Sequence, residues 1–150
     1  MRLNQTSPNS VAPNVIGTES FLVKLALASL ADSGAVVASI ANPFGESVII
    51  EQAILDITTV ATGASTLDIG PAADEETASD TLFDGLNANA ATGSFSSHVS
   101  GGTNGLGSRK WTSSQYVTVK DASGSPVGLV GALYLICRRL AEAKDKKRGG

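Results

Sequence analysis

The sequence predicts an all-β fold: a jelly-roll-like antiparallel β-sandwich with an extended N-terminal arm and a short charged C-terminal tail. Three observations carry this. Short runs rich in Val, Ile, Leu and Thr recur along the chain, turn signals built on Gly, Asn, Ser and Pro separate them, and no long amphipathic helix is evident. The chain has 150 residues, one ordinary domain and enough to close a core without disulfide or metal staples. The expected division is an arm over 1–14, a sandwich over 15–138 and a basic tail over 139–150.

The arm is polar and contains Pro8 and Pro13, so it should be extended and outside the core. Phe21, Val23, Leu25 and Leu27 then alternate with Leu22, Lys24, Ala26 and Ala28, the period of a strand. Ala31-Asp32-Ser33-Gly34 reads as a turn, 35–40 as a β-branched strand, and Asn42-Pro43-Phe44-Gly45 as a tight turn in which Pro43 fixes φ. The strongest β region is 47–60. Its alternation breaks at Glu51-Gln52-Ala53, which implies two strands or one strand with a bulge. Thr62-Gly63-Ala64-Ser65 is the next turn, and with 66–69 it reads as a hairpin. Residues 71–110 read as mostly loop, anchored by Leu82, Phe83, Leu86 and Phe95; so long an irregular segment is usually functional or interfacial. Residues 111–120 read as one strand, 121–126 as a turn, and 127–137 as a strand apolar on both faces, hence central or interfacial. Residues 139–147 look helical and are charged nearly all round.

Charged residues make up only 17% of the chain, against about 25% in ordinary soluble domains. Small and hydroxylated residues fill the difference, giving a surface that can pack on other subunits with little desolvation of charge. From position 138 onward there are six basic and two acidic residues, so a net −3 chain divides into an acidic body and a short basic tail. Such a tail can bind nucleic acid, but a solvated end is the simpler reading, and nucleic acid is not an expected partner. The N-terminus lacks the apolar stretch of a signal peptide, and no apolar run approaches the roughly 18 residues of a membrane span; synthesis in a cytoplasm and no membrane partner are expected.

Catalytic chemistry finds little support. His98 is the sole histidine and lies in a Ser/Gly-rich stretch with no marked nucleophile beside it. Asp68 and Asp84 would be the other candidates in a hydrolase. The sole cysteine, Cys137, sits in an apolar run and reads as an inert core residue. Asp74, Glu75, Glu76, Asp80 and Asp84 could offer oxygens to calcium, but the spacing of an EF-hand is missing, and a solvated acidic loop is expected. The stretch 101–110 has glycines and a basic pair without the spacing of a phosphate-binding loop. Trp111 and Tyr116 read as core or interface anchors. No catalytic residue, cofactor site or metal site is assigned.

Asn42-Pro43-Phe44-Gly45, the run VIIEQAILDITTVATGASTLDIG that follows, GGTNG at 101–105 and SSQYVTVKDASGSPVGLVGALYLI at 113–136 together resemble a family of small virion proteins of tailed bacteriophages. These are capsid decoration (cement) or head-fibre proteins. The likeness spans about residues 20 to 137, and the two ends depart from it. The resemblance implies a jelly-roll sandwich without enzymatic activity, added to the outside of the capsid after assembly in the host cytoplasm. It implies the major capsid protein as partner, a homotrimer as the oligomeric state, and resistance to internal DNA pressure as the purpose. A tail or fibre module that binds a host-surface glycan is the alternative.

Overall fold

The computed structural model describes residues 19–29 and 34–140. The arm over 1–14, Ala31, Asp32 and Ser33 of the first turn, and 141–147 of the expected helix lie outside them. Within the described residues the order is β1 (Ser20–Ala28), β2 (Val36–Ala41), β3 (Val48–Thr59), β4 (Ser65–Ala72), β5 (Phe83–Asn87), β6 (Gly93–Ser96), a single helical turn α1 (Ser97–Ser100), β7 (Arg109–Trp111), β8 (Tyr116–Gly124) and β9 (Val130–Arg139). They form two antiparallel sheets packed as a sandwich. The first has the order β1-β9-β3-β6, with β7 also on β3; the second has the order β2-β8-β4-β5.

The pairing is nested. β1 pairs with β9, β2 with β8, β3 with β6 and β7, and β4 with β5. The chain is therefore a long antiparallel ribbon folded over itself, and the β3–β9 and β4–β8 ladders are the contacts made as it rolls. Each half of the ribbon supplies strands to both sheets. Side chains alternate accordingly. In β1, Val23 and Leu27 are buried and Leu22, Lys24, Ala26 and Ala28 exposed, the pattern the sequence implies.

β3 is one continuous strand with a bulge, not two strands. Its register on β9 shifts between Ile50 and Gln52. Before the shift the inward residues are Val48 and Ile50; after it they are Ala53, Leu55 and Ile57. The extra residue moves the apolar set from even to odd positions, which is why the alternation breaks at Glu51. These side chains meet Leu133, Leu135 and Cys137 of β9, and Leu67, Ile69, Val117 and Val119 of the second sheet, in one core closed at one end by Trp111.

Several expectations are corrected. Thr62-Gly63-Ala64-Ser65 is not the turn of a hairpin but a crossing from the first sheet to the second. β3 and β4 are each flanked on both sides by other strands, so neither has an edge for the other. Residues 71–110 are mostly outside regular elements, as expected, but β5, β6, α1 and the start of β7 lie among them, which the expectation did not include. Sequences such as FDGLN and GSFS have weak strand propensity and are held by pairing to β4 and β3. The expected strand over 111–120 is two: Trp111 ends β7 in one sheet and Tyr116 begins β8 in the other. Between them Gln115 closes a turn, its N–H donating to Thr112 O at 3.1 Å and its Oε1 accepting from Thr112 N at 2.9 Å. β8 runs on to Gly124, so Asp121 is a strand residue opposite Leu67 and not part of a turn. The strand expected over 127–137 starts at Val130 and includes Arg139, which is therefore not helical.

Asn42 fastens the turn after β2 to the link between β7 and β8. Its Nδ2 donates to the carbonyls of Glu46, Trp111 and Thr112 at 3.0 to 3.1 Å, and its Oδ1 accepts from Phe44 N at 2.7 Å. Asn42→Ala leaves buried carbonyls without a donor and is expected to cost about 1–3 kcal/mol in chemical denaturation. Gly131 lets β9 approach β3 closely: a Cβ there would collide with the backbone oxygen of Asp56. Gly131→Ala is expected to destabilise by about 1–3 kcal/mol, read as a lowered urea midpoint.

Candidate functional site

The two sheets present unequal outer faces. On the second sheet, the segment 73–82 folds back over β4 and β8. Thr118, fully buried although it points away from the core, donates from Oγ1 to Thr77 O at 2.8 Å, and Lys120 Nζ donates to Glu76 O at 3.0 Å. Gly70 is packed so tightly under Ser79 and Thr81 that a Cβ would fall 2.5 Å and 2.6 Å from their hydroxyls. Among the described residues no such flap covers the first sheet. Its outward rows run Leu22–Ile136–Gln52, Lys24–Tyr134–Ile54 and Ala26–Ala132–Asp56 across β1, β9 and β3. Leu22 is 65% exposed and Val130 41%. The face is thus mainly small and aliphatic, with Lys24, Glu51, Asp56 and Arg138 as the charges that β1, β9 and β3 place on it. The apolar run of β9 is explained: Leu133, Leu135 and Cys137 form core, while Val130, Ala132, Tyr134 and Ile136 form the middle of this face.

A groove of about 440 Å³ opens at one end of the face. Ile49, Glu51 and Gln52 of the β3 bulge form its floor with Ile136 of β9, and His98 of α1 and Ser108 form its wall. The bulge interrupts the β3 ladder between β6 and β7, and Ser97 fills the gap. Its Oγ accepts from Ala53 N at 3.0 Å and donates to Gly107 O at 3.1 Å. This fixes α1 against β3 and brings the histidine to the groove.

Three polar side chains of the groove, His98, Glu51 and Gln52, are engaged within the chain. His98 Nε2 lies 3.0 Å from Glu51 O; a carbonyl only accepts, so Nε2 carries the proton. Gly107 packs against the other side of the ring, where a Cβ would lie 2.6 Å from Nδ1. Glu51 Oε2 accepts from Arg138 Nε at 2.6 Å, and Gln52 Nε2 donates to Ser96 Oγ at 2.7 Å. Among the described residues no carboxylate, hydroxyl or thiol bonds to the imidazole, so the ring acts as a tie between α1 and β3. Sequence reasoning missed the groove. The broken alternation at Glu51 marked its floor, but nothing local linked Glu51 to His98, 47 positions away.

The acidic residues separate into two groups. Asp74 closes its own turn, accepting at Oδ1 from Glu76 N and Thr77 N at 2.9 Å and from the Thr77 hydroxyl at 2.8 Å. The bond from Glu76, then those from Thr77, hold its carboxyl below the usual value. Asp68, Asp80 and Asp84 lie together on the second sheet. Asp68 accepts from Gly85 N at 2.9 Å, while Asn104 donates to Asp84 from its N–H and to Asp80 from Nδ2 at 3.0 and 2.9 Å. Burial pushes the Asp68 carboxyl up, the Gly85 bond partly offsets this, and Asp80 and Asp84 add to the rise. No group of three or more His, Cys, Asp or Glu side chains among the described residues is arranged to hold a metal ion. Asp68 and Asp84 are remote from His98 in role: they brace β4 to β5 and to the glycine loop, and Gly102 packs directly on Asp84.

Trp111 is a core anchor. Its Nε1 donates to Gln115 O at 3.0 Å, and its ring meets Phe44 edge-on at 6.3 Å between centroids. Phe44 in turn packs on Phe21 at 5.4 Å, and Arg139 lies over Phe21 at 4.9 Å. Tyr116 is half-buried at the start of β8. Burial, with a smaller contribution from the Glu51 charge, pushes the Cys137 thiol up to about 12, so it stays protonated and unreactive at neutral pH. No protein-family model, no curated protein sequence and no solved structure matches the chain.

The raised carboxyl of Asp68 gives a test with a definite sign. A carboxyl whose pKa is higher in the fold than in the unfolded chain costs stability once it ionises, and the cost is absent where both states are protonated. Asp68→Asn keeps an oxygen for the Gly85 N–H and removes the charge. Calorimetry should show the variant melting above the parent at about pH 7, with the gap closing as pH falls below the ordinary value of 3.8.

Proposed function

We propose that this chain is a structural virion protein that binds the outer surface of a bacteriophage capsid and stabilises it, a decoration or cement protein with the major capsid protein as its partner. The observation that carries the reading is the asymmetry of the sandwich. One sheet is roofed by its own acidic segment, and among the described residues nothing roofs the other, a broad face of mainly small and aliphatic side chains. A face with few charges can lie on another protein with little desolvation cost. Many copies on a repeating shell multiply weak contacts into firm attachment.

Two further features support it. The nested strand order, β1-β9-β3-β6 over β2-β8-β4-β5, is what a rolled antiparallel ribbon produces, and it favours the jelly-roll reading of the sandwich. The resemblance of residues 20 to 137 to capsid decoration and head-fibre proteins points the same way. The groove beside His98 would be the seat of a host glycan in the alternative reading of a tail or fibre module. Its lining has no Phe, Tyr or Trp for a sugar to stack on, and its His98, Glu51 and Gln52 side chains are engaged within the chain, so that reading ranks second.

Quantitative mass spectrometry of purified virions is the direct test. The chain is expected in the particle at a copy number comparable to that of the capsid subunit, and its absence from virions would sink the proposal.

A further inference from the structure

We propose that the free edge of β1 is a self-association site, at which β1 of a second copy adds antiparallel to extend the first sheet across two molecules. A sheet edge offers unpaired N–H and C=O groups and templates another strand unless it is protected. The four edges of this sandwich differ in that respect. The edge opposite β1 is split between β6 and β7, of four and three residues, with α1 wedged between them. The β5 edge is capped by the glycine loop: Asp84 N donates to Gly101 O at 2.7 Å, and Leu106 N to Thr81 O at 2.6 Å. The six-residue β2 carries an irregularity in register between Val36 and Ala38. Among the described residues β1 has none of these devices. It is nine residues long, its ladder to β9 is unbroken in register, it contains no proline, and its one charge is Lys24. Among the described residues, nothing pairs with its other side.

Side chains and charge point to a second copy as the occupant. Leu22, Ala26 and Ala28 stand exposed on β1, with Val130 in the next row, so an added strand would find apolar neighbours. The copies are acidic and repel each other, but Asp68, Asp74, Glu75, Glu76, Asp80 and Asp84 gather around β4, β5 and the segment between them. That is the far side of the strand order from β2, which packs beneath β1. The β1 edge is therefore where two copies can meet with least repulsion.

Each copy has one such edge, so the natural complement of β1 is β1. An isologous antiparallel contact closes at two copies and leaves no edge from which a fibre could grow. Placing Lys24 opposite its own symmetry mate would set like charges face to face, so the register should shift by two residues to either side, with Lys24 opposite Leu22 or Ala26 of the partner strand. This two-fold contact replaces the trimer that the family resemblance implies, and it holds or fails independently of whether the chain decorates a capsid.

The test uses the full chain, the double variant Leu22→Lys/Ala26→Lys, and two measurements. Sedimentation equilibrium should give twice the chain mass of 15.2 kDa for the parent. The variant, whose changed side chains are exposed, should keep its circular dichroism and dissociate at least about tenfold more readily, because like charges would face each other on an edge. Hydrogen exchange across a dilution series should show alternate β1 amides protected in the dimer and exchanging in the monomer. A monomeric or trimeric parent, a dimer indifferent to the two lysines, or β1 protection that does not change with concentration would each overturn the proposal. The last result would mean that the chain's own residues cover the edge.

Discussion

The ladder between β3 and β9 is the contact on which the rest of the structure depends. β9 lies between β1 and β3, so the first sheet exists only if this strand, made at the end of the described chain, finds partners from its beginning. The close approach at Gly131 and the bulge at Glu51 set the register. The register decides which side chains enter the core, and the same step fixes the opposite face. Once Leu55, Ile57, Leu133 and Leu135 turn inward, Ile54, Tyr134 and Ile136 must turn outward. The bulge also opens the groove and leaves the gap that Ser97 bridges. Core, outer face and groove are three consequences of one pairing.

A sandwich needs only its inner faces to be apolar. What the outer faces do is then open to other demands, and here they diverge. The second sheet is covered by an acidic, self-bonded segment whose Asp74 and Asp80 groups are held by neighbouring N–H and O–H donors. Among the described residues no segment covers the first sheet, and its ion pairs lie at one end, where Arg138 meets Glu51 and Arg139 meets Glu46 at 2.6 and 3.1 Å. Both pairs are substantially exposed and contribute little stability, about 0–1 kcal/mol each. Low charge and small side chains are costly as solubility devices but well suited to lying against another protein surface. A homotypic β1 contact would double this face into one platform.

Local signals in the sequence marked what local chemistry decides. The alternation of Phe21 to Ala28, the Asn42-Pro43-Phe44-Gly45 turn, the break at Glu51 and the inert burial of Cys137 are all present in the structure. What was illegible is non-local. A turn at Thr62-Gly63-Ala64-Ser65 shows that the chain changes direction, but not that it changes sheets. The strands β5 and β6 are short and rich in Gly, Ser, Asn and Asp, and β7 is only three residues long, so their structure comes from the partner strand and not from propensity. Trp111 and Tyr116 merged into one expected strand because TSSQ between them lacks the glycine or proline that usually punctuates a turn; Gln115 makes that turn through its side chain instead. The groove depends on a bulge meeting a helical turn from distant sequence, and no spacing rule foreshadows that.

A cryo-microscopy map of the intact virion tests the central claim most directly. The account expects the sandwich on the exterior of the head, with the Leu22–Ile136 face of the first sheet turned toward the capsid subunits and the acidic 73–84 segment turned toward solvent. Density for this chain on the tail, inside the shell, or on the head with the first sheet facing outward would contradict it.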